Sequence, residues 1–330
     1  MKTDELLMEL SRVDGPSGFE DEVIEKIENI LGGGIRTKLG GLVYEVEGGD
    51  KKLGVFAHVD EISLLVSKKG EDGFFYLEPS GGVDPKVVVS KKVKIFTRGG
   101  VLRGVIGNIA PHITPPSERG KPRDFDRLVL DATMSDWKKI EIGDRVVLDV
   151  EPFKMGDYVV GKALDNRAGC AVLIKLKEFL QRYRNLPTIY LVFSTREEIG
   201  GPGARSIAYE LGLDWAIVVD VTFGDEKVEG MEAIKLGKGP AIGKGPSIDG
   251  ELFEIAKDVA KRNGIEYQIE PLPGRSGTDT DDVQITGIGV RTLLVSVPLK
   301  NMHTPVEKVD PRDVEESARL IAEIASHLGR

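Results

Sequence analysis

The chain has one cysteine, Cys170, in 330 residues. No intrachain disulfide can form and a thiolate zinc finger is excluded, which fits a reducing cytoplasm. Positive charge is also in deficit. The formal net charge of -9 argues against nucleic acid as the main partner. No apolar run is long enough to cross a bilayer, and the first residues, MKTDELLMEL, place acids where a signal peptide carries its apolar core. Neither H-E-x-x-H nor G-x-S-x-G occurs. The stretch GKGPAIGKGP is not a phosphate loop, because its spacing fails and Gly245 stands where a Ser or Thr must follow the lysine. There is no internal repeat and no low-complexity tract. Histidine is rare, with four in all.

What remains is ordinary for a globular protein: 40% hydrophobic residues, over a length that suggests two domains or one large domain with an insertion. Ser17 and Glu20 have capping-box spacing, ahead of Val23, Ile24, Ile27, Ile30 and Leu31 at helical intervals, and Gly32 closes the run. GLVYEVEG and KLGVFAH read as strands. From Ser63 to Phe153 short β-rich runs (FFYLEP, VVVSKKVKIFT, VLRGVIG, RLVLDAT, DRVVLDV) alternate with Gly, Pro and charged turns. That texture predicts a small barrel-like β domain, residues 63–153. Beyond it helices and strands alternate: NRAGCAVLIKLKEFLQRY, TIYLVFST, ARSIAYELG, WAIVVDV, GELFEIAKDVAKRNG, EYQIE, VRTLLVSV and a final helix in PRDVEESARLIAEIASHL. Residues 1–62 and 154–330 are therefore expected to share one α/β layered domain built on a mixed sheet, interrupted by the β-barrel-like insertion.

The strand in LGVFAHVDEIS ends not on a turn residue but on His58 and Asp60. In open α/β sheets ligands sit beyond the carboxyl ends of the strands. The other predicted strands lead to Glu197 and Glu198, to Asp220 and to His303, and Asp165 opens a helix. Singly, each has an ordinary explanation: a hydrogen-bonded core histidine, an N-cap, a solvated strand end. Together they put histidine and carboxylate at one sheet edge. His112 and His327 lack that context. Two imidazoles and several carboxylates without thiolates suit zinc, cobalt or manganese. Their number exceeds one tetrahedral ion and would fill a pair roughly 3.5–4 Å apart, bridged by a carboxylate. Asp60, two residues after His58, would face the same side and could hold the imidazole. Glu197 and Glu198, on an extended backbone, would point apart, so that one could bind metal while the other acts as a general base.

At these residues the sequence resembles the tetrahedral (TET) aminopeptidases, a family of dinuclear metallo-aminopeptidases. The matching stretches are AHVDEI, GGVDP, GVIGNIAPHITPPSERGK, KALDNRAG, REEIGGPGAR, LGKGPAI, GTD and MHTPVE, in the family's order over nearly the whole chain. The resemblance implies that His58, Asp165 and Asp220 bind one metal and Asp165, Glu198 and His303 the other. Asp165 would be the bridge, Glu197 the general base and Asp60 the support of His58. It also implies two divalent ions per subunit, zinc or cobalt, an inserted dimerisation domain, short peptides as substrates and a tetrahedral homododecamer. LPGRSGTDTDD is more polar than the family's glycine-rich segment. Arg275 there would suit an acidic substrate side chain, and Asp281 or Asp282 a basic one, while surface charge is the plainer explanation for all three.

Three other readings remain. A zinc carboxypeptidase or deacylase would need a cation for the substrate carboxylate, with Arg275 the candidate. A glycoside hydrolase would need carboxyl groups set roughly 5–9.5 Å apart across a sugar and would leave both histidines idle. A peptide-binding shell with a structural metal would have no use for a free glutamate beside Glu198.

Overall fold

The computed structural model describes residues 1–108, 110–118, 124–125, 128–227 and 232–330. Its centre is an 11-stranded mixed sheet. Four long strands lie parallel in the middle, in the spatial order Pro187–Ser194, Gly49–His58, Trp215–Phe223 and Arg291–Lys300. Their apolar runs, among them Val55–Ala57, Ile217–Val219 and Leu293–Val295, are buried, as expected of parallel strands covered on both faces. From Gly49–His58 the chain passes first to the strand on one side and later to the strand on the other. That reversal opens a crevice at the carboxyl ends of the strands.

Helices Leu164–Leu180 and Pro311–Leu328 pack on each other and on the sheet. The latter starts on Asp310, whose side chain accepts the Arg312 N–H, with proline in its first turn. Helix Asp21–Leu31 ends at Gly32, whose φ of 77° is one that glycine adopts freely. The expected capping box before it does not form. Glu20 occupies the cap with no side-chain bond to the helix, its Oε1 accepting the Gly18 N–H, and the Ser17 hydroxyl donates to Asp60 Oδ2 at 2.7 Å. The buried carboxylate takes the hydroxyl as a donor, and the side chain turns away from the helix N–H groups it would otherwise accept from.

The insertion is a closed barrel of six antiparallel strands, ordered Ser63–Lys69, Phe74–Ser80, Val129–Asp131, Gly100–Ile106, Lys92–Thr97 and Arg145–Leu148. Alternate residues such as Val93 and Ile95 fill a core of its own, as the two-residue period of a strand requires. One expected strand begins later than its sequence suggests. Val87 and Val88, at the start of the run VVVSKKVKIFT, lie instead in a helical turn, Pro85–Val88. Asp84 caps that turn, accepting from the Lys86 N–H at 2.9 Å, and Pro85 presets its φ. Part of GVIGNIAPHITPPSERGK, at residues 109 and 119–121, lies outside the described residues. The hairpin Phe153–Met155 and Tyr158–Gly161 returns the chain to the large sheet.

Candidate metal centre

Six residues meet at the carboxyl ends of the parallel strands. His58 is the last residue of its strand. Asp220 lies in the second half of its own. Glu197 and Glu198 sit in a short 3-10 turn past Pro187–Ser194, not on the extended backbone expected. They diverge all the same: Glu197 Oε2 is 3.9 Å from His58 Nε2, and Glu198 Oε1 is 3.5 Å from His303 Nε2. Asp165, at the kinked start of helix Leu164–Leu180, is not a simple N-cap. One oxygen lies 3.3 Å from His58 Nε2 and the other 3.1 Å from His303 Nε2. Asp220 Oδ1 is 3.8 Å from His58 Nε2. His58, Asp165 and Asp220 form one set of donor atoms within 4.8 Å of one another, and Asp165, Glu198 and His303 form a second. A third set of that kind joins His58, Glu197 and Glu198. His112 and His327 belong to none among the described residues.

The backbone under these side chains is held by two further carboxylates. Asp60, fully buried, accepts the Glu197 N–H on Oδ1 at 3.0 Å and the Glu198 N–H on Oδ2 at 3.2 Å. Its Oδ1 also lies 3.4 Å from His58 Nδ1. Glu307, almost as hidden, accepts the His303 N–H on Oε1 at 2.8 Å and the Asp165 N–H on Oε2 at 3.1 Å. Each carboxylate thus fixes two residues of the cluster. The ring tautomers follow from what faces them. His303 Nδ1 is 3.0 Å from the Gly82 carbonyl oxygen and His58 Nδ1 is 3.2 Å from the Asp60 carbonyl oxygen. A carbonyl only accepts, so Nδ1 carries the hydrogen in both rings and each Nε2 turns to the cluster. Gly82 follows a barrel strand, so the insertion contributes directly to this centre. Ala163, Arg196 and His303 have φ of 55°, 63° and 59°, a conformation that costs roughly 1–3 kcal/mol and clusters at functional sites.

The electrostatics favour positive charge. Burial pushes the pKa of Glu197 up to about 10, with Asp220 and Asp279 adding to it against His58. Burial likewise raises Glu198 and Asp220. For His303 burial works downward, yet Asp165 and Glu198 carry it up to about 11. For His58 burial also works downward, and Asp165 and Asp60 outweigh it. A buried group of carboxylates with this avidity for cations, facing two imidazole Nε2 atoms, fits hard or borderline divalent metal ions. The cluster lines a cavity of about 380 Å³.

The M42 glutamyl aminopeptidase family model matches residues 40–320. The chain belongs to this family. It is 31% identical to a lysyl aminopeptidase of Pyrococcus furiosus over 98% of its own length and 97% of that protein's. A solved chain provisionally named a peptidase/endoglucanase is 45% identical, with a TM-score of 0.81 and 98% and 99% of the two chains covered. The TET1 peptidase of Pyrococcus horikoshii, which can assemble into a tetrahedron or a large octahedral shell, superposes with a TM-score of 0.87 at 27% identity, covering 98% and 99%. As an M42 family member the chain is a peptide hydrolase with a mixed-sheet domain and an inserted barrel.

Two residues of this M42 centre had escaped the sequence reading. Glu307 lies four positions after His303 in MHTPVE, a family-like stretch in which only the histidine was expected to have a role. Asp279, in GTD, is buried and accepts from the Ser194 hydroxyl at 2.6 Å, while its Oδ1 has no partner among the described residues. Burial lifts its pKa to about 7. Arg275 does not line the cavity at this centre. It pairs with Asp281 at 3.3 Å, and Asp281 accepts the Ser276 and Gly277 N–H groups, which makes it part of a loop scaffold.

Proposed function

We infer that this chain removes residues one at a time from the free N-termini of short peptides, with Glu197 as general base. One observation supports this most directly. Two of the three donor sets share Asp165, as a bridged metal pair requires, and neither includes Glu197, which occurs only in the set that lacks Asp165. Its side chain is also the most open of the cluster's carboxylates, 16% exposed against 8% for Asp165, 6% for Glu198 and 7% for Asp220. On this reading His58, Asp165 and Asp220 would hold one divalent ion, zinc or cobalt, and Asp165, Glu198 and His303 would hold the other. Such ions, when bound, supply Lewis acidity that polarises a peptide carbonyl and makes water a nucleophile at neutral pH. Glu197 takes the proton from that water and passes it to the leaving amine. Asp60 keeps the turn carrying Glu197 and Glu198 in place, and Glu307 does so for Asp165 and His303.

Residues 1–62 and 154–330 form the catalytic unit in this account, and 63–153 the self-association unit. Exposed apolar side chains on the insertion, Phe74, Val101, Val105, Met134 and Ile142, support assembly, for which a tetrahedral homododecamer is the expectation. A cytoplasmic setting suits Cys170. No helix among the described residues is long and apolar enough to cross a membrane.

The test compares an unblocked peptide with its acetylated copy. The first should shorten stepwise from its N-terminus and the second should persist. Loss of residues from the C-terminus would favour a carboxypeptidase. Inertness toward both peptides, with release of sugar from a glucan, would favour a glycosidase.

A further inference from the structure

We propose that a pocket beside the metal centre receives the side chain of the substrate's N-terminal residue and selects a cationic one, lysine or arginine. This rests on the aminopeptidase reading above and deepens it. The cavity at the centre adjoins a second one of about 180 Å³, and Thr222, Phe223, Glu270 and Ser276 line both. Thr222 stands two residues after Asp220 on one strand, so the two side chains share a face. The second cavity therefore begins next to the reacting centre, where the side chain of a terminal residue would be directed.

Glu270 carries the inference. It is nine-tenths buried and lines both cavities. The Thr222 hydroxyl donates to one of its oxygens and the Ser296 hydroxyl to the other, each at 2.6 Å. These bonds fix the carboxylate without neutralising it. No lysine, arginine or histidine pairs with it among the described residues. A buried charge with no counter-charge is costly until a cation reaches it. Two hydroxyls use half of a carboxylate's accepting capacity, which leaves lone pairs for an ammonium or guanidinium.

The rest of the pocket agrees. Glu226 and Glu232 also line the second cavity, and neither cavity is lined by a lysine or arginine among the described residues. Phe223, Ile234 and Leu272 supply apolar wall, suited to the methylene stem of a long basic side chain. An acidic side chain would meet three carboxylates there. The glutamyl name of the family thus does not carry over to the preference of this chain.

The test uses the full-length, metal-loaded enzyme and four p-nitroanilides, of Lys, Arg, Leu and Glu. The Lys or Arg substrate should exceed Leu in kcat/KM by roughly tenfold or more, with Glu last. Glu270→Gln keeps shape but loses charge, and Glu232→Lys reverses charge at an exposed position. Each should lower the Lys-to-Leu ratio of kcat/KM by roughly tenfold. If Glu270→Gln does not fold, Glu232→Lys carries the test. Preference of the wild type for Leu or Glu, or a ratio unmoved in the folded variants, overturns the pocket assignment and leaves the aminopeptidase intact. Hydrolysis of none of the four overturns the aminopeptidase reading and this assignment with it.

Discussion

Glu307 offers the sharpest perturbation, because it does not line the cavity at the cluster and yet ties His303 to Asp165, which lies 142 positions before it in sequence. Its two oxygens accept the backbone N–H groups of His303 and Asp165 at 2.8 and 3.1 Å. A hydrogen bond to a charged group contributes about 1.5–3 kcal/mol. Glu307→Gln keeps one acceptor and turns an amide NH2 toward the other N–H, so about one such bond is lost. Glu307→Ala loses both. The displaced groups are Asp165, which faces both histidines, and His303. Loss of an outer partner of this kind costs about 10–100-fold in metal affinity. Burial and the charge of Asp165 push the pKa of Glu307 well up, which makes the uncharged glutamine the milder of the two changes. The alanine variant therefore sets the scale. Metal affinity should be measured by competition with a chromogenic chelator, alongside melting with and without metal. Glu307→Ala should bind metal at least about tenfold more weakly and lose activity at limiting metal, with partial recovery in excess. A variant that melts earlier but binds metal as tightly as wild type would refute the argument, since Glu307 would then serve the fold alone.

Other outcomes follow from the same geometry. Glu197→Gln should keep both metals and lose turnover by roughly 10²–10⁴-fold, while Glu198→Gln should lose a metal and recover partly when metal is added; the reverse pattern would exchange their roles. In Gly82→Ala the new Cβ would lie 2.6 Å from His303 Nδ1 and 2.8 Å from Cε1, so this change in the insertion should weaken metal binding; wild-type affinity in a metal titration would contradict the contact. Asp14 links the two units, bonding Lys94 of the barrel at 2.7 Å and Lys162 of the large domain at 3.0 Å. Burial raises its pKa, but the two lysines outweigh that and hold it below 3.8. A depressed pKa stabilises the fold above the unfolded value and the gain is lost as pH falls through the folded one. Lys162 keeps Glu61 and Lys94 keeps Asp149, so Asp14→Asn should cost about 1.5–3 kcal/mol at pH 7 and flatten the acid limb of a denaturant-midpoint profile; an unchanged limb would dismiss the bridge.

The sequence by itself determined the parts whose signal is local. Apolar runs such as Leu53–Ala57 and Ile217–Val219 could hardly be anything but buried strands. The two-residue alternation of Val93 and Ile95 announced the barrel. Histidine and carboxylate at successive strand ends pointed to one edge, because parallel strands must align their carboxyl ends. Tertiary structure decided what depends on distant partners. Ser17 has the spacing of a cap, and only the nearness of Asp60 diverts its hydroxyl. Glu197 and Glu198 look extended in sequence, yet Asp60 accepts both of their N–H groups and holds them in a turn. Glu307 and Gly82 lie in the family-like stretches MHTPVE and GGVDP, yet nothing there says what they touch, since one acts on backbone N–H groups and the other through its own carbonyl. A hydrogen bond from a backbone N–H to a carboxylate 142 positions away leaves no residue pattern at either end, and neither does an imidazole tautomer set by a carbonyl from another unit. Such contacts exist only once the sheet and the barrel have brought their atoms within hydrogen-bonding reach.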